Sequence, residues 1–138
     1  MTTAVCDSGP LLALANMLDT DHRRVQEFFR ASRLQFVVPT LCVGEVAYLL
    51  ERDFGPQAEA AFIDSCRTLD LIQPSANEME RIAELIRTYS DFPLGAVDAS
   101  VVALAESLDT PFVVTLDHRH FRAIRPKHVE AFTLLPEL

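Results

Sequence analysis

The sequence predicts an α/β fold, a single domain over residues 1–138 with helices on both faces of a mainly parallel sheet. Three observations carry this. Short β-rich runs such as Val113–Thr115 stand between Pro111 and the polar DHRH segment, as buried strands do. Such runs alternate with helical patterns across short connections, which calls for right-handed crossovers. Finally, 138 residues of which 49% are hydrophobic suffice for a sheet covered on both sides.

Thr2–Cys6 is the first strand, ended by Asp7 and the turn residues Ser8, Gly9 and Pro10. Leu11–Leu18 predicts a short helix, and Asp19–Arg33 an amphipathic one with Val25, Phe28 and Phe29 at helical spacing. Phe36–Val38 is the second strand, stopped by Pro39. Thr40 caps the next helix, which runs to Asp53 and ends near Gly55 and Pro56. Gln57–Arg67 follows with Ala61, Phe62 and Cys66 inward, then Leu69–Ile72 as a third strand ended by Pro74. Ser75 and Glu78 form a capping box for a helix through Tyr89, and 90–95 is a loop. Asp98 opens the next helix, with Val101, Val102 and Ala105 on its side, and Asp117 closes the fourth strand, Val113–Thr115. His118–Ile124 is a brief helix. Val129–Leu134 is the fifth strand, alternating Val129, Ala131 and Thr133 with Glu130, Phe132 and Leu134.

A net charge of −8 argues against general binding to polyanions. The balance is uneven, however, because Arg119, Arg122, Arg125 and Lys127 fall within His118–His128, which holds no acid. Cys6, Cys42 and Cys66 are odd in number, far apart and set among apolar neighbours, as reduced core thiols of a cytoplasmic protein are. Neither a membrane span nor a signal peptide is expected, since no apolar run nears about 18 residues and MTTAVCD lacks a basic start and a cleavage site.

Four acids stand out. Asp7 and Asp117 each follow a strand, where a doubly wound sheet binds ligands, although an aspartate there also serves turns. Glu45 has Leu41, Cys42, Tyr48 and Leu49 at i−4, i−3, i+3 and i+4, which sets its carboxylate on an inward face. It must therefore reach a wet crevice or a cation, Arg52 being the nearest in sequence. Asp98 at a helix start also suits simple capping. Four converging carboxylates repel unless a cation lies among them, and all-oxygen ligation selects Mg²⁺ or Mn²⁺ over zinc. Such a site polarises a phosphoryl oxygen and activates water for in-line attack on a phosphodiester.

Asp7 with Ser8, Glu45 in GEV, Asp98 in VDAS and Asp117 in TLDHRHF together resemble a PIN domain, specifically a VapC-type toxin ribonuclease, over nearly the whole chain. The resemblance implies a PIN-like three-layer α/β/α sandwich with a five-stranded, mainly parallel sheet. It also implies the toxin component of a type II toxin–antitoxin system: a Mg²⁺-dependent endoribonuclease, with Mn²⁺ as substitute, that cleaves transfer, ribosomal or messenger RNA. A homodimer, higher toxin–antitoxin assembly and a VapB-type antitoxin whose C-terminal segment covers the active site are further implications. An Arg-bearing antitoxin tail would suit the acid pocket.

By this resemblance Asp7, Asp98 and Asp117 hold the metal directly or through water, and Glu45 either ligates it or orients the attacking water. Ser8 and Thr115 are the hydroxyls available to support the ligands. Arg119, Arg122 and Arg125 either contact RNA phosphates or form a solvated basic helix end, and His118 and His120 are polar rim residues. Two positions depart from the family pattern. His120 stands where many PIN domains carry a further Asp, which leaves a second metal short of a ligand, and Gly9 replaces a hydroxyl residue beside Asp7.

The rival readings are weaker. A phosphohydrolase of the haloacid-dehalogenase type needs an acid where Gly9 stands, and a receiver module needs an aspartate where Ile72, Gln73 and Pro74 stand. A catalytically silent PIN-like binding module is the remaining alternative.

Overall fold

The computed structural model describes residues 2–137, in which strand and helix alternate almost throughout. The elements are β1 (Thr3–Cys6), α1 (Ser8–Ala15), α2 (His22–Ala31), β2 (Gln35–Pro39), α3 (Thr40–Phe54) and α4 (Pro56–Ser65). After a 3-10 turn (Cys66–Thr68) come β3 (Leu71–Ile72), α5 (Ala76–Thr88), α6 (Ala96–Ser107), β4 (Phe112–Val114), α7 (His118–Arg122) and β5 (Thr133–Leu135). All strand pairings are parallel and the order is β3-β2-β1-β4-β5. The architecture is the three-layer α/β/α sandwich expected.

Strand order decides where chemistry can occur. The chain adds β2 and β3 on one side of β1, then returns through α5 and α6 to lay β4 and β5 on the other. This reversal opens a crevice between the carboxyl ends of β1 and β4. Val5 pairs with both Val37 and Val113, and all three are buried, so the β-branched centre of the sheet fixes the register that brings those two ends level.

Helix α6 is the spine of the core. Every residue from Ala99 to Ala105 is buried, and the helix touches α5, α3, β1, β2 and β4. Its run of Ala and Val lets it lie close to all of them, and the acid in its first turn, Asp98, emerges at the sheet edge. Helix α5 is tied to it by a two-pronged ion pair: Arg81 Nε and Nη2 donate to Glu106 Oε1 and Oε2 at 2.8 and 2.9 Å. At the start of α5 the capping box forms in full, with Glu78 N donating to Ser75 Oγ (3.1 Å) and Ser75 N to Glu78 Oε1 (2.9 Å). Ser75→Ala is expected to cost about 1 kcal/mol in urea unfolding.

Several boundaries differ from expectation. Pro39, extended at φ −61° and ψ 136°, precedes α3, so Thr40 is its first helical residue and caps nothing. Gly95 caps α6, which puts Asp98 in the first turn instead of at the cap. Ala61 is exposed while Phe62 and Cys66 are buried. The fifth strand is Thr133–Leu135, because the segment before it spends its hydrogen bonds elsewhere: Arg125 N on Tyr89 Oη, Lys127 N on Glu106 Oε2 and His128 Nε2 on Thr110 O. The three cysteines are free and buried. Among the described residues no helix is long and apolar enough to cross a membrane.

Candidate active site

The site starts from a β-ladder bond. Asp7 N donates to Val114 O at 2.8 Å, continuing the β1–β4 pairing one residue past the strand and fixing the Asp7 side chain at the crevice floor. That side chain is buried. Its Oδ1 accepts from Ser8 N at 2.8 Å, with Ser8 Oγ at 3.5 Å, and its Oδ2 accepts from Thr115 Oγ1 at 2.8 Å. Thr115 is itself fully buried and held by β5 through a bond from its N to Leu135 O (2.8 Å), while its hydroxyl accepts from Asp117 N (3.0 Å). One hydroxyl thus joins the acid after β1 to the acid after β4.

Electrostatics follow from this burial. The Asp7 pKa is raised from 3.8 to about 6: burial is the largest cause, the Asp98 and Glu45 charges act in the same direction, and the bonds from Thr115 and Ser8 oppose it. Asp98 is also raised, first by burial and then by Glu45 and Asp117, with His120 opposing. Three acids from distant parts of the chain therefore feel one another. They line a cleft of about 450 Å³ together with Asp117, Ser8, Gly9, Leu116 and His120.

Glu45 sits differently from its sequence reading. Tyr48, one turn along α3, is 61% exposed, so the carboxylate lies at the margin of the buried face, half-buried, and not at its middle. Arg52 pairs with its neighbour Asp53 (2.9 Å), and Glu45 makes no ion pair among the described residues. Asp117 is the most open of the four and caps α7, its Oδ1 accepting from His120 N at 3.1 Å.

The acids line the cleft without clasping it. Among the described residues, no three His, Cys, Asp or Glu side chains converge tightly enough to enclose an ion, whereas the sequence reading expects four carboxylates within a few Å. Mutual repulsion and the turn of Asp117 toward its capping role account for the spread.

Arg119, Arg122 and Arg125 are exposed and form no ion pairs among the described residues, and none of them lines the cleft. Arg122 faces a separate hollow with His118, Phe132, Leu134 and Glu137. His118 is buried, and its pKa is lowered first by that burial and then by the Arg122 charge. Two residues beside the cleft were missed in the sequence reading. Leu116 contributes wall, and Phe92 lies against the His120 ring with centroids 4.6 Å apart. An aromatic residue in the loop just ahead of an acid-bearing helix was the one available clue to Phe92.

The PIN domain family model matches residues 4–126. Ribonuclease VapC26 of Mycobacterium tuberculosis is 34% identical over 134 residues, covering 96% of this chain and 99% of that protein. Among solved structures, M. tuberculosis VapC20, described as a sarcin-ricin loop cleaving toxin, superposes with a TM-score of 0.74 at 18% identity, covering 80% of this chain and 86% of that one. VapBC2 from Rickettsia felis bound to a DNA fragment from its promoter gives 0.70 at 13% identity, with 98% and 100% coverage. A toxin–antitoxin complex from Klebsiella pneumoniae gives 0.66 at 20%, with 88% and 92%. The match in sequence across almost the full length, on the same fold, means that this chain belongs to the PIN-domain family and is of the VapC type.

Proposed function

We propose that this protein is the toxin component of a type II toxin–antitoxin pair, a Mg²⁺-dependent endoribonuclease that cleaves structured RNA. One observation carries the reading: four carboxylates from four separate elements line a single cleft at the switch point of the sheet, and Asp7 and Asp98 resist ionisation, first because they are buried and then because of neighbouring acids.

The donor set fits a hard divalent cation. Mg²⁺ sheds water reluctantly and is held by one or two carboxylates plus waters and substrate phosphates, so an acid lining that stops short of a closed cage suits it. Asp7, Asp98, Asp117 and Glu45 would hold the ion directly or through water, and Mn²⁺ would substitute. Such an ion supplies Lewis-acid polarisation of a phosphoryl oxygen and a water of lowered pKa. The chain's residues do the rest. Thr115 and Ser8 N hold Asp7 in one orientation, and Glu45 at the cleft margin stands where it can take a proton from an attacking water. Arg119, Arg122 and Arg125 would meet flanking phosphates, which makes binding outside the cleft weak and strongly salt-dependent.

The partner reading rests on kinship and charge. A VapB-type antitoxin is supported by the VapBC assemblies among the structural relatives, and a cleft lined by acids suits an Arg-bearing tail. Exposed Tyr48 and Phe54 of α3 and Ile63 of α4 offer apolar surface for a second copy, in support of a homodimer within a larger assembly.

The test is cleavage of structured RNAs by purified protein with Mg²⁺ or Mn²⁺, beside Asp98→Asn and an EDTA control. Discrete fragments are expected, lost with EDTA and reduced in the variant by more than the 10–100-fold typical of removing an outer partner of a metal ligand. Cleavage indifferent to both would overturn the reading. Phosphate release from small esters without RNA cleavage would favour a phosphohydrolase.

A further inference from the structure

His120, at the position where the family pattern commonly has an acid, is placed as no rim residue need be. Its Nε2 lies 3.6 Å from Asp98 Oδ2 and its Nδ1 3.4 Å from Asp117 Oδ2. Both separations exceed an N–H···O hydrogen bond. Nε2 is nonetheless shut off from solvent and has no hydrogen-bond partner among the described residues. A ring nitrogen left so costs about 1–3 kcal/mol. The ring is not free to turn away, because Phe92 lies against one side of it and Asp117 faces Nδ1.

Two neighbouring donors, each about 2.1 Å from one ion, stand about 3.0 Å apart at right angles and about 3.4 Å apart at a tetrahedral angle. The Nε2 to Oδ2 spacing of 3.6 Å is wider than both, by about 0.6 Å for the octahedral angle that Mn²⁺ and Mg²⁺ favour, so the two donors would draw together on an ion. Asp117 Oδ2 faces Nδ1 at 3.4 Å, on the side where a metal-bound histidine commonly has a carboxylate that takes the N–H of one nitrogen and leaves the lone pair of the other for the metal. Asp117 is already committed to His120, since its other oxygen accepts from His120 N.

We propose that His120 Nε2 is itself a metal donor alongside Asp98, with Asp117 positioning the imidazole, so that this site takes Mn²⁺ in preference to Mg²⁺. The preference follows from the donor: imidazole binds transition metals well and Mg²⁺ poorly, and replacing one carboxylate of an all-oxygen set with it shifts the ratio toward Mn²⁺. This rests on the metal site proposed above and assigns its chemistry a second element type.

The experiment uses the whole protein and the metal chlorides alone. Mn²⁺ and Mg²⁺ are titrated calorimetrically into the parent, His120→Asn and His120→Asp, with circular dichroism melts to show that each is folded, and the Mn²⁺ forms are examined by pulsed electron paramagnetic resonance. The parent is expected to show ¹⁴N modulation of the bound Mn²⁺, absent from both variants. His120→Asn should lose about 10–100-fold in Mn²⁺ affinity while Mg²⁺ affinity changes little, and His120→Asp should regain binding with its preference moved toward Mg²⁺. Mn²⁺ bound to the parent without ¹⁴N modulation, or an unchanged Mn²⁺ to Mg²⁺ ratio in His120→Asn, overturns the role of His120 and leaves the metal site standing; the imidazole would then merely bridge two acids. A folded parent that binds neither ion overturns both.

Discussion

Asp7→Asn should melt about 5–10 °C above the parent at pH 7.5 in EDTA, although the same substitution is expected to end RNA cleavage. The parent must keep ionised a carboxyl whose pKa burial has lifted from 3.8 to about 6, at a cost of about 3 kcal/mol at neutral pH. At this chain length each kcal/mol moves the midpoint by about 3 °C. The sign is fixed by the raised folded-state value. Below about 3.8 both folded and unfolded forms carry the proton and nothing is lost; as pH rises through about 6 the folded form must give it up, and stability falls. Asp98, raised chiefly by burial, contributes in the same direction. Parent and variant melting curves should therefore converge near pH 4, separate as pH rises toward 6 and stay apart by a constant amount above it. Mg²⁺ at 100 times its dissociation constant should close most of the gap, adding about 2.7 kcal/mol to the parent and little to the variant. Superimposable melts of the two proteins from pH 4 to 8 would show that Asp7 bears no such burden.

The second large effect lies behind the site. Phe121→Ala should lower stability by about 3–5 kcal/mol in urea unfolding and weaken cleavage even where the variant is still folded. Phe121, in the second half of α7, is 1% exposed and sits edge-on to Phe132 at 6.3 Å. Five residues are too few to hold a helix by themselves, so this anchor is what keeps Asp117 and His120 aimed at the cleft. A loss below about 1 kcal/mol, or full activity in the folded variant, would mean that α7 is set by its cap alone.

Those features that depend on local pattern were legible in the chain. Ser75 with Glu78 announced α5, and Val113 with Val114 announced a buried strand, because capping and β-branched runs act over a few residues. The approximate place of the acids was legible too, since Asp7 and Asp117 follow strands and Asp98 starts a helix. What escaped was anything decided by partners remote in sequence. The alternation from Val129 onward reads as a strand, yet Glu106, Tyr89 and Thr110 claim the polar groups of the preceding segment, leaving only Thr133–Leu135 for the sheet. Tyr48 looks inward by spacing and is exposed in fact, which shifts Glu45 to the margin of its face. The lean of Phe92 on His120 and the two contacts of His120 with Asp98 and Asp117 have no signature in spacing at all.

The bond from Thr115 to Asp7 closes a span of 108 residues. Loops of that size form late, after the local helices and hairpin-range contacts that reward the chain early. The contact that orients Asp7 is therefore expected to be among the last to form. The two halves of the cleft lie on opposite sides of the link between α6 and β4, so limited proteolysis there is expected to lower RNA cleavage at a dose that leaves most of the helical circular dichroism in place.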